Sequence, residues 1–452
     1  MNSSNRKLTI LAIFLGLSLI AGFARAQEPS LRDEQKIAAL ALLWQEANYN
    51  FVFFDRVPDV NWEQTFKSFI PQVLATKSDI EFVRVLQRFA ALLKEGHTNV
   101  VPATALWKRY AATPAIELDV IENRPVVVNV ASSLAKEVPV GSVISSVDGI
   151  PVDRYLSEQV FPFVSASTDQ SRLYKAVNGR GEPAVGLLVR ELGTRINISF
   201  ENPSGLTRSA SVECLAPDAK IDWVETAESE LKIFNLKWLP EGVAVIELNA
   251  FDRQEVLDAF QTNLRELAKA KAVIFDVRRN KGGNSGYGDV IGGHFTKTPV
   301  KATMSRSREN ISSYRAFGKY KSHPQYKDYA DGKSFTPNRG AIVAPAAPFL
   351  DIPVVVLIGS KTYSAAENFA ALMSQIPGVK LMGTPTAGST GQPLILKLEN
   401  VAFAAITAKR DVLPDGTDFI GRGISPHITV NQTIEAFRNG RDLVLERAIF
   451  EL

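Results

Sequence analysis

Three short stretches of the chain carry residue types suited to nucleophilic catalysis. The first is Gly359-Ser360-Lys361-Thr362-Tyr363-Ser364-Ala365-Ala366-Glu367, which follows an apolar strand and opens a helix. The inner face of that predicted helix carries Ala366, Phe369, Leu372 and Met373, so Ser364 stands at its N-terminus. Unpaired N–H groups and the helix dipole favour negative charge there. A nucleophilic serine needs that environment, because charge develops on the attacking oxygen and on the oxyanion it creates. The simpler reading is that Ser364 only caps the helix, serine being a common N-cap.

The second stretch is Asp276-Val277-Arg278-Arg279-Asn280-Lys281-Gly282-Gly283-Asn284, after another buried strand. Paired glycines let backbone N–H groups point into a cleft, where they bind a phosphate or complete an oxyanion hole. The loop lacks the Gly-Lys-Ser/Thr ending of a nucleotide-binding loop and does not fit the dinucleotide fingerprint. Its plain reading is a tight strand-to-helix connection. The third stretch is Glu95-Gly96-His97-Thr98. Histidine is the side chain best suited to take a proton from serine near neutral pH, although a lone histidine also serves as a surface or packing residue. His294, His323 and His427 are weaker bases, the first in a predicted helix and the second in a surface insertion. The Gly-x-Ser-x-Gly elbow is absent, so the serine turn is a different strand–turn–helix solution.

The elements that must position these residues fall into three groups, 27–112, 113–217 and 218–452. Residues 31 to 94 read as helical: Ile37, Leu40, Trp44 and Ala47 recur at helical steps. Ser78 and Glu81 form a capping box for a second helix that Gly96 stops. From 113 to 217 the pattern is β-rich, with strands predicted at 115–120, 125–130, 142–147, 185–190, 195–200 and 209–213. From 218 onward strands alternate with helices: 243–248, 272–277 and 354–358 are strands, 253–268 and 364–375 helices. That alternation implies a mostly parallel sheet covered by helices. Residues 301–340, rich in Lys, Arg, Ser and Tyr, read as an insertion and a mobile surface segment.

Composition narrows the function classes. The chain has 452 residues, 45% of them hydrophobic, and 51 basic against 48 acidic side chains. A surplus of +3 gives no case for nucleic acid as a partner. The single cysteine, Cys214, excludes an internal disulfide and a cysteine-rich metal site. Four histidines without His-Glu-x-x-His spacing exclude the usual zinc hydrolase pattern. No metal or organic cofactor is expected. Residues 1–26 read as a signal peptide: Arg6 and Lys7, an apolar run from Leu8 to Phe23, then Ala24-Arg25-Ala26. An uncleaved N-terminal anchor is the alternative. The expected location is secreted or periplasmic.

Taken together, the motifs resemble the tail-specific (C-terminal processing) serine peptidase superfamily, in its tricorn-core and retinoid-binding-protein-like branch. The family's Asp-Gly-His-Thr is matched by Glu95-Gly96-His97-Thr98, its Asp-Leu-Arg-x-Asn-x-Gly-Gly by Asp276 to Gly283, and its Thr-x-Ser-Ala-Ala-Glu by Thr362 to Glu367. A Gly-x-x-Thr-x-Gly follows as Gly383 to Gly388 and a Gly-x-Gly-Ile-x-Pro as Gly421 to Pro426, in the family's order. The resemblance implies a multidomain α/β fold: an N-terminal helical domain, a PDZ-like β module and a ClpP/crotonase-like catalytic core. It also implies Ser364 as nucleophile, with the N–H of Ala365 and of Gly282 or Gly283 as oxyanion hole. The lysine that one branch uses as base falls on Ser389 here, so the base is expected to be His97. Some relatives place a glutamate before Gly-x-Gly-Ile-x-Pro to orient the histidine; this chain has Ile420 there. Asp418 and Glu367 are the candidates for that orienting role. The implied activity is cleavage of peptides or protein C-terminal segments through an acyl-enzyme, with the PDZ-like module presenting the substrate by strand addition. The alternative is a weak or inactive member that binds a peptide or another ligand.

Overall fold

A computed structural model describes residues 31–179, 183–225 and 230–452. The signal-like segment 1–26 lies outside the described residues. Three helices open the described chain: α1 (Asp33–Asn50), α2 (Trp62–Leu74) and α3 (Asp79–Ala91). Ser78 caps α3 as its spacing predicts, accepting from the Glu81 N–H at 3.4 Å, while the Glu81 carboxylate reaches back to the Lys77 N–H at 2.7 Å. Phe82, Leu86 and Phe89 are buried along one face of that helix. Beyond Gly96 the chain enters strand β1 (Asn99–Pro102).

An antiparallel sheet follows, with strands β2 (Ile116–Ile121), β3 (Arg124–Val130) and β4 (Val143–Val147). Helix α4 (Asp169–Asn178) interrupts it before β5 (Arg195–Glu201) and β6 (Thr207–Glu213) complete it in the order β2-β3-β4-β5-β6. The unit has a core of its own, an apolar cluster that includes Leu118, Val127, Ile144, Ile198 and Phe200. One expected strand is corrected here. The stretch 185–190 is not a strand; it makes only an isolated bridge through Arg190 to Ala112. Helix α4, capped by Thr168 on the Ser171 N–H, precedes it and was not expected. Gly179 and Gly186 approach so closely that a Cβ on Gly179 would sit 2.9 Å from the Gly186 Cα, a contact that only two glycines allow.

The rest forms the larger sheet. Its strands are β7 (Phe234–Trp238), β8 (Val243–Leu248), β9 (Ala272–Asp276), β10 (Val354–Ile358) and β11 (Lys380–Gly383). A separate ribbon of β12 (Pro393–Leu398) and β13 (Ala402–Thr407) follows, and β14 (Ile428–Thr429) returns to the sheet. The sheet order is β14-β11-β10-β9-β8-β7, parallel except at the β7 edge. Helices α5 (Glu255–Leu267), α6 (Ser285–Gly293) and α7 (Ala365–Met373) cover it. β10 is buried along its whole length, as a parallel strand covered on both faces must be.

The helical segment is sewn into this core. β1 pairs antiparallel with β13, Asn99 opposite Ala405. Leu40, Phe82 and Phe89 belong to the same continuous buried cluster as Ile246, Phe275, Val356 and Phe369. The segment 301–340 carries secondary structure of its own. Met304–Arg308 pairs with Phe335–Asn338 on one side and Arg410–Val412 on the other, and Arg308 donates to the Asn48 carbonyl at the end of α1 at 2.7 Å.

Candidate active site

The two loops singled out by the sequence leave the carboxyl ends of neighbouring parallel strands, β9 and β10. Thr362 ties them together: its hydroxyl donates to the Val277 carbonyl at 2.9 Å and accepts from the Gly359 N–H at 3.0 Å. The Tyr363 N–H donates to the Asn280 carbonyl at 3.0 Å. The first loop is anchored by Arg278, whose guanidinium meets Asp276 and both carboxylate oxygens of Asp442, the latter at 2.9 and 2.7 Å.

Ser364 follows at the N-terminus of α7 with φ +58°. A positive φ is costly for a residue with a Cβ and persists only where neighbours enforce it. Here the Ser364 N–H donates to the Ser389 carbonyl at 3.1 Å and to Glu367 Oε2 at 3.2 Å. Ser364 Oγ lies 3.0 Å from His97 Nε2. The two residues are 267 positions apart in sequence.

Behind the imidazole stands a pair of residues. His97 Nδ1 is 2.9 Å from Ser389 Oγ, and that hydroxyl donates to Glu95 Oε1 at 2.6 Å. An ionised carboxylate only accepts, and a serine has one proton to give. Ser389 therefore gives its proton to Glu95 and accepts from Nδ1–H, which leaves the Nε2 lone pair facing Ser364. Glu95 lies 3.7 Å from Nδ1, beyond a direct hydrogen bond. It also receives the His97 N–H at 2.9 Å and the hydroxyls of Thr98 and Thr407. Burial alone would raise its pKa; the adjacent imidazole and the Ser389 and Thr407 hydroxyls bring it down to about 2. The Tyr363 ring stacks on the imidazole with centroids 4.4 Å apart, fixing its plane.

Asp418 and Glu367, considered for the orienting role, do not hydrogen-bond His97. Asp418 is engaged by the Arg410 guanidinium, which also holds Asp55 at 2.8 Å. Glu367 is turned toward the loop that carries Ser389. It accepts from the Thr386 hydroxyl at 2.5 Å, the Gly388 N–H at 2.8 Å and the Ser389 N–H at 2.9 Å. Burial pushes its pKa up to about 7 against these donors. Glu367 is thus one link removed from the imidazole, through Ser389, while Asp418 serves the Arg410 guanidinium. Sequence reasoning placed Ser389 at the position of another branch's lysine and Glu95 as a motif variant. The signal that they act together was the presence of a short hydroxyl residue where a long base was missing.

The glycine loop lies against Ser364. A Cβ on Gly282 would fall 2.6 Å from the Ser364 Cβ and 2.9 Å from the Ala365 nitrogen. The Gly282 N–H itself donates to Asn280 Oδ1 at 2.8 Å, so it is committed. Among the described residues no acceptor is paired with the N–H of Gly283 or of Ala365. Those two N–H groups stay uncommitted beside Ser364, with Gly282 supplying clearance. A cleft of about 1050 Å³ opens beside Gly282 and Gly283, walled by Trp107 and Trp223 and bordered by Leu118 of β2. His294 instead binds the Pro348 carbonyl and His427 accepts from the Leu381 N–H, both away from this cleft. His323 lies in the 301–340 segment against Phe317.

No group of three or more potential metal ligands occurs among the described residues, and none of their helices is long and apolar enough to cross a membrane.

Residues 242–430 match the family model described as Peptidase family S41. A carboxy-terminal-processing protease of Bartonella bacilliformis is 22% identical over 254 residues, 54% of this chain and 52% of that protein. The alignment spans about half the length of that curated relative. Among solved structures, mature CPAF complexed with lactacystin superposes with TM-score 0.70 at 15% identity, covering 90% of this chain and 95% of that one. The photosystem II D1 C-terminal processing protease gives TM-score 0.50 at 16% identity, covering 88% and 93%. The segment 242–430, with the strands and loops that carry Ser364 and Gly282, thus matches peptidase family S41 and resembles the C-terminal processing peptidases.

Proposed function

We propose that this chain is an exported serine peptidase that cleaves peptides or protein C-terminal segments through an acyl-enzyme. The observation that carries the reading is the Ser364 Oγ to His97 Nε2 contact of 3.0 Å, backed by Ser389 and Glu95. In this mechanism Nε2 takes the hydroxyl proton as Ser364 Oγ attacks the scissile carbonyl. The imidazolium that forms has its Nδ1–H bonded to Ser389 and the buried Glu95 charge behind it. The N–H groups of Ala365 and Gly283 meet the oxyanion. Nε2–H then protonates the leaving amine, and a water attacks the ester with His97 again as base.

The antiparallel unit of β2 to β6 fits a PDZ-like role, presenting an extended substrate to the cleft by strand addition at β2. Export is supported by the residue pattern of 1–26. The binding-protein alternative rested on Ile420 standing where relatives carry a carboxylate, and the Ser389–Glu95 pair supplies one from elsewhere. The test is incubation of residues 27–452 with an unfolded protein substrate, reading new peptide ends by mass spectrometry. Cleavage that disappears in Ser364→Ala and falls steeply in His97→Ala is expected; equal cleavage by the variants contradicts the reading.

A further inference from the structure

A second cavity, of about 430 Å³, lies where the three parts of the chain meet, on the flank of the Ser364 turn. Val101 of β1, Phe163 and Val185 of the antiparallel unit, and Tyr363 of the nucleophile turn face it. Its charged lining is of one sign: Lys175, Lys281 and Lys361, with no aspartate or glutamate among the described residues. Lys361 is paired with Asp119 at 2.9 Å. Lys175, on α4, is different. Its ammonium donates to two neutral oxygens, the Gly96 carbonyl at 3.0 Å and the Ser165 carbonyl at 3.1 Å, and it forms no ion pair with any described carboxylate. Glu95, the acid whose charge reaches it, is already saturated by Ser389, Thr98, Thr407 and the His97 N–H.

A half-buried ammonium without a counter-ion is unfavourable, and burial pulls the pKa of Lys175 down to about 8. An anion entering the cavity would relieve that cost, and the apolar walls would accept methylene groups on the way to it. The location is consistent with a substrate site, since Tyr363 and Gly96 immediately precede the nucleophile and the base.

We propose that this cavity is a specificity subsite for a peptide side chain with an apolar stem and a terminal carboxylate, glutamate before aspartate, whose oxygens accept from Lys175. The proposal rests on the peptidase reading for its biological meaning, and its test separates the two. The protein and two variants, Lys175→Met and Val101→Glu, are given a proteome-derived peptide library, and cleavage sites are read by mass spectrometry. Each protein is scored on its own ratio of glutamate to glutamine sites, so a loss of overall activity does not enter. The wild type is expected to favour glutamate roughly tenfold at one position beside the scissile bond. That ratio should fall to near one in Lys175→Met. Val101→Glu leaves Lys175 and its carbonyl contacts intact but lends the cavity a carboxylate of its own, and should lose the preference too. No glutamate preference in the wild type, or a preference that survives both substitutions, overturns the proposal. In parallel, glutarate and its neutral diamide are titrated against each protein by thermal shift. Glutarate alone is expected to stabilise the wild type, and not Lys175→Met; equal effects of the two compounds, or none, overturn the subsite. If the library is left uncut, the peptidase reading fails and the titration alone decides.

Discussion

Ser389 Oγ donates to Glu95 Oε1 across 2.6 Å while lying 2.9 Å from His97 Nδ1, which makes a serine the link between base and buried charge. The arrangement has a chemical consequence. In the proposed mechanism, the imidazolium formed during attack is stabilised by Glu95 at one remove, through a hydroxyl that fixes the tautomer. Ser389→Ala removes that link without adding charge. It should lower kcat roughly 100-fold and leave KM within about threefold, less than the ~10⁴-fold cost of the wrong tautomer in a triad with a direct carboxylate. Ser389→Thr, which keeps the hydroxyl, should recover much of the rate. Steady-state kinetics on a fluorogenic peptide checks both, and a KM effect without a kcat effect would reassign Ser389 to substrate binding.

Gly282 faces Ser364, the proposed nucleophile, with no room for a side chain. In Gly282→Ala the new methyl would meet the Ser364 Cβ at 2.6 Å, at a backbone φ of +97° that alanine resists. Either the serine or the loop must move, and the Ala365 N–H moves with it. Turnover should fall roughly 10²- to 10³-fold, the usual effect of losing one oxyanion donor. Asn280→Ala acts on the same loop by freeing the Gly282 N–H and stranding the Leu248 carbonyl that Asn280 Nδ2 now serves at 2.9 Å. The same kinetic assay reads both variants.

Two buried glutamates give the fold a pH dependence of opposite signs. The Glu95 carboxyl, at about 2 when folded against an ordinary 4.5, binds its proton more weakly in the folded chain. Its contribution is present above 4.5 and is lost as pH falls toward 2. Glu367, at about 7, binds its proton more tightly when folded. Stability contributed by its protonated form is present below 4.5 and is lost as pH rises toward 7. Each effect amounts to up to roughly 3 kcal/mol. Urea unfolding across pH 3 to 8 should therefore show a maximum near about pH 4.5, and Glu367→Gln should flatten its upper limb. An upper limb unchanged in Glu367→Gln would show that another group titrates there.

How much of this was legible beforehand depends on whether the determinant was local. Strands β8, β9 and β10 announce themselves as apolar runs, and Ser364 is placed by the helix period that follows it. His97 was found because Gly96 ends a helical pattern. Helix α4 was missed and 185–190 misread because β-branched, apolar Val185 to Arg190 satisfies a strand pattern locally. The close approach of Gly179 and Gly186 is a contact that a strand pattern does not report. The orienting pair was beyond reach because its determinants are tertiary: Glu95 and Ser389 are 294 residues apart, and the β1–β13 ladder and the shared core bring the helical segment against the loop after β11. The 301–340 segment lacks clean alternation because its paired strands Met304–Arg308 and Phe335–Asn338 have no fully buried face to impose one.

Labelling with a fluorophosphonate tests the central claim most directly, because the probe reports an activated serine and needs no knowledge of the substrate. Residues 27–452 should be labelled on Ser364. The signal should vanish in Ser364→Ala, fall steeply in His97→Ala and fall less in Ser389→Ala. Folded protein that stays unlabelled, or labelling that survives His97→Ala at the wild-type rate, would contradict the account.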